Sequence, residues 1–267
     1  MVEKVDAHSM VSWCAAVLGD LDEAERVSAQ GLAQVQPGQV PAWALHIVVW
    51  RIYALTLLGR WDEALAMAER GRQLWLEARQ PASGYAIRGF VAAIDVARGR
   101  QDDRLAESYR EVLDTIARAF PADSPFTPWI GYGGSDLSPM EAIVSRAAQA
   151  GQGLSERPER ALNRLLDAGQ PPAKDQMETV LVWAERGTLR PLEAQARRGL
   201  GLLGRDRAML SRSLALWEEM GAMPYAARVR CELALLTGNR EDLDTGLAML
   251  ERLGDRSQIG HYERQVG

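Results

Sequence analysis

Chemistry could reside in only a few places in this chain. Three histidines, His8, His46 and His261, are spread over its whole length, at no spacing that would set them round one metal. Cys14 and Cys231 are equally far apart and form no metal motif. Two lone thiols in a chain of 267 residues point to a reducing, cytoplasmic setting. Gly131-Tyr132-Gly133-Gly134-Ser135-Asp136 is a glycine-rich loop ahead of a helix start, a place where anions bind. It lacks a basic residue, and Asp136 stands where a dinucleotide fingerprint needs its last glycine. A turn followed by a cap is the simpler reading. A P-loop needs a lysine directly after its second glycine, and the only lysines, Lys4 and Lys174, are not so placed. We therefore assign no catalytic residue, no cofactor and no metal, and expect a chain that is not an enzyme.

Two sets of side chains remain as binding candidates. Arg88 and Asp95 lie two turns apart on one face of a helix, where they would either clamp a polar ligand or form a buried pair or a solvated edge. His46, Trp50, Tyr53 and Leu57 share one face of another helix, and Trp13 stands forty residues before Tyr53. Aromatic rings with a polar tip suit a partner-binding surface; the other reading is that they fill space between neighbouring helices. Arg88 and Asp95 are out of that register and are kept apart from it. Arg197, Arg198, Arg205, Arg207 and Arg212 form the densest basic cluster, read as a solvated face.

The elements that must position these groups are helices. Apolar residues recur at three- and four-residue spacing throughout, and no segment alternates long enough for a strand. The first six helices are expected as three hairpins, 6–18 with 21–35, 39–58 with 61–78, and 82–98 with 102–119. Later helices are expected at 139–150, 155–168, 172–186, 189–203, 206–219, 223–237, 240–252 and 255–264. Asp20 with Glu23, and Asn239 with Asp242, are N-cap pairs, while Pro37, Pro41 and Pro81 fall in connections. Gly19, Gly59 and Gly99 are forty residues apart, and Gly204 and Gly238 are thirty-four apart; such periods mark arrays of helical hairpins. Residues 121–138 are rich in proline and glycine and divide the chain. A three-hairpin array at 1–120 precedes them, and a second array at 139–267, expected to be continuous with the first, begins with Ser138 as N-cap and Pro139 at the first helical position.

Gly19-Asp20-Leu21-Asp22-Glu23-Ala24 and Gly59-Arg60-Trp61-Asp62-Glu63-Ala64 resemble the turn between the two helices of a tetratricopeptide repeat. Ala24 and Ala64 stand where that repeat wants a small residue. The stretch from Gly204 through Trp217, Gly221, Pro224, Tyr225, Ala226 and Ala227 to Gly238 is similar to something narrower. It resembles the divergent repeats that end large bacterial signalling proteins, such as LuxR-type ATPase regulators and class III nucleotide cyclases. The resemblance implies an all-α chain, an α-solenoid of tetratricopeptide-like helical hairpins. In such arrays the first helices line an inner groove, and Trp13, His46, Trp50 and Tyr53 would face it. The pattern departs from the family at Gly89 and Asp95 and at the 120–138 loop. It carries no activity over, because the family's ATPase and cyclase motifs are absent.

Net charge is −5, which argues against nucleic acid as the partner, since phosphate binding needs a concentrated positive field. The most apolar stretch, 42–58, is interrupted by His46 and Arg51 and reads as a buried helix and not as a membrane span. The expected function is a non-catalytic scaffold or regulatory module that binds a protein or peptide, or another domain of the same polypeptide, in bacterial signalling. The alternative is a small-molecule-sensing effector domain of a larger ATPase regulator or nucleotide cyclase. An open groove would mark the first and an enclosed pocket the second.

Overall fold

The computed structural model describes residues 2–35, 41–79, 84–118, 158–167, 169 and 171–266. All secondary structure among them is helical. The N-terminal half holds α1 (Val2–Leu18), α2 (Leu21–Ala33), α3 (Pro41–Leu58), α4 (Trp61–Glu77), α5 (Gly84–Gly99) and α6 (Asp103–Arg118). The C-terminal half holds α7 (Pro158–Asp167), α8 (Lys174–Arg186), α9 (Arg190–Gly204), α10 (Arg207–Glu219), α11 (Met223–Thr237), α12 (Arg240–Leu253) and α13 (Arg256–Val266). The expected loop at 121–138, the helix at 139–150 and the glycine-rich segment 131–136 lie outside the described residues.

Local signals set the helix ends. The Asp20 carboxylate accepts from the Glu23 N–H and the Asn239 amide oxygen from the Asp242 N–H, each satisfying a first-turn donor that the helix itself cannot. Gly59, at φ 78°, makes the left-handed step between α3 and α4 that an L side chain adopts only with strain. Consecutive helices then pair across these short turns: α1 with α2, α3 with α4, α5 with α6, α11 with α12. Ala24 and Ala64 are fully buried at the crossings, where a larger side chain would hold the helices apart.

Helix α3 is buried from Ala44 to Leu57 apart from His46 and Arg51, because it is packed on every side. It meets α2 through Ile47 at Gly31, and α5 through Val49 at Gly89. A Cβ on Gly89 would sit 3.0 Å from the Val49 Cα. The glycine that departed from the repeat pattern is thus what lets α5 lie against α3.

The two halves then face each other. Helix α1 touches α9, α3 touches α11, and α5 touches α13, so one row of inner helices lies on the other. Trp50, Tyr53, Ala54 and Leu57 of α3 share one core with Leu216, Trp217, Met220 and Tyr225. The turns mesh in the same order. Gly19 lies against Met220 and Arg190, Gly59 against Leu253, Met223 and Pro224, and Gly99 against Asp255. Burial of each large apolar side chain in this seam contributes roughly 1.5–3 kcal/mol.

A buried charge network and the cavities beside it

The inner row of the C-terminal half carries an ionic cluster. Arg198, on α9, is only 2% exposed. Its Nε donates to both oxygens of Glu232 on α11, its Nη2 to Asp167 of α7 at 2.8 Å, and its Nη1 to the Asn163 side-chain oxygen. Arg228, one turn before Glu232, donates to Asp167 at 3.1 Å and to the fully buried Asp255 at 3.0 Å. Asp255 also caps α13 through the Gln258 N–H. The Tyr262 hydroxyl donates towards the Arg228 carbonyl and Glu232 from α13. Four inner helices are thereby joined through one set of charge-assisted bonds.

Burial alone would depress both guanidinium groups. Glu232 and Asp167 outweigh it at Arg198, which is held well above the ordinary arginine value, and Asp167 and Asp255 do the same at Arg228. Burial, and then the Glu232 carboxylate, push the Tyr262 phenol well above its usual value, so it remains an O–H donor. Cys231 sits beside this cluster on α11. Burial, with Glu232 second, pushes its thiol up to about 12, which makes it a packing residue and not a nucleophile.

Two cavities flank the network and share Asp167. The larger of these two, about 380 Å³, is lined by Asp167, Arg198, Arg205, Glu232, His261, Tyr262 and Gln265 together with Leu166, Leu202, Leu210, Leu235 and Leu236. The smaller, about 200 Å³, lies in the seam between the halves. Thr56, Trp61, Asp95 and Arg98 line it from the N-terminal half, and Asn163, Tyr225, Arg228 and Gln258 from the C-terminal half. A third, about 780 Å³, opens between the α5–α6 turn and the α12–α13 turn, where Arg100, Arg104, Arg252 and Arg256 mix with Asp102, Asp103 and Glu251.

The residues singled out in the sequence fall as follows. Tyr53 is fully buried and Trp50 is 3% exposed, beneath the C-terminal half. Trp13 is half-buried, 6.2 Å from the Trp50 ring, and Trp50 is in turn edge-on to Tyr53. Trp50 and Tyr53 therefore do not border open solvent, since the chain's own α10 and α11 occupy the space an inner groove would offer there, whereas Trp13 keeps part of its surface exposed. His46 is half-buried and edge-on to Trp43, and burial lowers its pKa. Arg88 and Asp95 part company. The Arg88 guanidinium lies 5.5 Å from the Trp50 ring centre, joining the aromatic set that register had kept it from, whereas Asp95 reaches the seam cavity. The basic cluster is not a uniform solvated face. Arg205, Arg207 and Arg212 are exposed, but Arg197 bridges Glu185 and Glu193 and Arg198 is the centre of the buried network.

Arg198 and Glu232 are thirty-four residues apart, and so are Arg228 and Tyr262. That is the spacing of Gly204 and Gly238, so equal places in successive hairpins meet on the inner side. The period was the signal that could have found this site; a count of local charge could not. Among the described residues no three His, Cys, Asp or Glu side chains form a group that could hold a metal, and no helix is long and apolar enough to cross a membrane. No family model matches the chain and no curated protein matches it, so its resemblance to repeat arrays rests on its own residues.

Proposed function

We propose that the chain is a non-catalytic regulatory module, an α-solenoid of tetratricopeptide-like hairpins serving bacterial signalling in the cytoplasm. Its inner surface senses a small polar ligand for a larger ATPase regulator or nucleotide cyclase. One observation carries this reading. The inner helices α7, α9, α11 and α13 of the C-terminal half leave a cavity of about 380 Å³ beside Arg198, while Trp217 and Tyr225 of that half cover the inner face of α3. That volume is in the range of small-molecule sites, with an apolar wall and a few convergent polar groups. A ligand there touches α7, α9, α11 and α13 at once and so biases how the hairpins stack.

Thermal-shift measurements against a panel of small polar metabolites test it. The reading expects at least one saturable rise in midpoint that Glu232→Gln removes. A flat panel, with saturable peptide binding instead, contradicts it.

A second reading, docking of a protein partner through a helix, has its own support. Ala7, Val11, Cys14 and Leu18 form one exposed stripe on α1. Forty residues later the same places in α3 include Ile47 and Arg51, which meet α2 at Gly31 and Glu25. Helix α1 therefore presents the face that receives a preceding helix inside the fold. Protection of the Cys14 thiol from alkylation on adding a partner is the assay for this reading; an unprotected thiol in the assembled complex counts against it.

A further inference from the structure

Helix α1 turns an apolar face to water. Between Asp6 and Asp20 it holds no charged side chain, and its exposed residues there are Ala7, Met10, Val11, Cys14 and Leu18. The other exposed large apolar side chains among the described residues, Leu76, Val182, Leu203 and Met223, lie one each on α4, α8, α9 and α11. A contiguous apolar strip on a water-facing helix marks a docking surface. Ala7, Val11, Cys14 and Leu18 follow each other at steps of four, three and four residues, the spacing of a two-helix seam. The fold shows how such a face is filled. Forty residues on, Ile47 and Arg51 of α3 receive α2 running antiparallel, with Ile47 over the small Gly31 and Arg51 paired with Glu25 at 2.8 Å. Val11 stands where α3 has Arg51, so the helix that covers α1 meets no charge there and is itself apolar.

We infer that this face docks on the same face of a second copy of the chain, the two α1 helices antiparallel about a two-fold axis. The inference rests on the helix-docking reading and names its occupant. A two-fold contact uses one patch twice, and this patch holds no charge to repel its own image. No other helix face among the described residues offers a comparable apolar strip for a head-to-tail contact. Side-chain size fixes the register. Antiparallel pairing centred between Ser12 and Trp13 sets Ala7 against the partner's Leu18 and Val11 against the partner's Cys14, a smaller group facing a larger one in every layer. Met10, beside the stripe, widens it. The stripe is about 18 Å long at 1.5 Å per residue, short of what a permanent interface buries, so the dimer forms reversibly at high chain concentration.

Sedimentation velocity on the whole chain, kept reduced and run over a range of concentrations, tests this. A reversible monomer–dimer equilibrium is expected. Val11→Glu and Cys14→Lys, each at an already exposed position, should each weaken it at least about tenfold, because every substitution enters the seam twice. An equimolar mixture of the two variants should recover the dimer. In the mixed pair the new carboxylate of one copy faces the new ammonium of the other, and the second layer keeps Val11 against Cys14. Recovery also shows that both variants fold. A chain that stays monomeric to about 1 mM, the weak edge of specific association, overturns the second-copy assignment. So does a dimer that Val11→Glu leaves unchanged, and a mixture without recovery overturns the antiparallel register. A monomer whose Cys14 thiol a separate protein still shields from alkylation leaves the helix-docking reading standing without self-association. A monomer with no such shielding overturns the two together.

Discussion

Arg198 and Glu232, thirty-four residues apart, close on each other across α9 and α11 at the centre of the C-terminal half. Neither is replaceable by charge alone. Removing the guanidinium leaves Glu232 and Asp167 facing each other in a buried site, with Asn163 also losing a donor. Arg198→Met is therefore expected to cost about 3–5 kcal/mol, the size seen when one partner of a buried ion pair is deleted. Urea melts read it as a large drop in midpoint. A midpoint within error of the parent would mean that the cluster is open to water.

Tyr53 separates core from groove. It is fully buried between the halves, so Tyr53→Ala should cost about 3–5 kcal/mol of folding stability, as for other large buried aromatic rings. The denaturant slope should stay unchanged. A variant as stable as the parent would return the ring to an exposed, partner-facing role.

Gly59 makes a further test of the seam. Its φ of 78° disfavours any Cβ, and that Cβ would lie 2.7 Å from Leu253 Cδ2 in the opposite half. Gly59→Ala should destabilise by about 1–3 kcal/mol through backbone strain, with the added clash shared by both halves. Calorimetric unfolding should show one transition shifted as a whole. Loss confined to a separate N-terminal transition would mean that the halves do not depend on each other.

Stability should fall at alkaline pH. Burial raises the Cys231 thiol from 9.0 to about 12 and the Tyr109 phenol from 10.0 to about 12. Between those values the folded chain holds protons that the unfolded chain has released, so stability declines as pH rises. The contribution is complete below pH 9.0 and is lost by about 12. Cys231→Ala should remove the earlier part of that decline in midpoints measured from pH 8 upward. A decline of identical shape in the variant would assign it elsewhere.

The helices and their ends were legible because they depend on short-range signals. The Asp20 and Asn239 caps and the left-handed Gly59 turn act within four residues, and no distant contact overrides them. The way the halves meet was not legible. It turns on Gly89 accepting the Val49 backbone, and on Trp217 and Tyr225 covering Tyr53 from more than one hundred and sixty residues away. Periodicity says which face of α3 is apolar but not what covers it. The same gap hid Arg198. An arginine beside Arg197 and near three exposed arginines looks solvated in one dimension, and only the fold brings Asp167, Asn163 and Glu232 around it.

Small-angle X-ray scattering on the isolated chain tests most directly whether the two halves close on each other, as the core that Tyr53 shares with Trp217 and Tyr225 requires. A closed chain of 267 residues should give a radius of gyration of about 18 Å, the compact-domain value for this length. Its pair-distance distribution should be a single symmetric peak. A radius half as large again, with the long tail of an extended superhelix, would contradict the closed arrangement and restore the open groove.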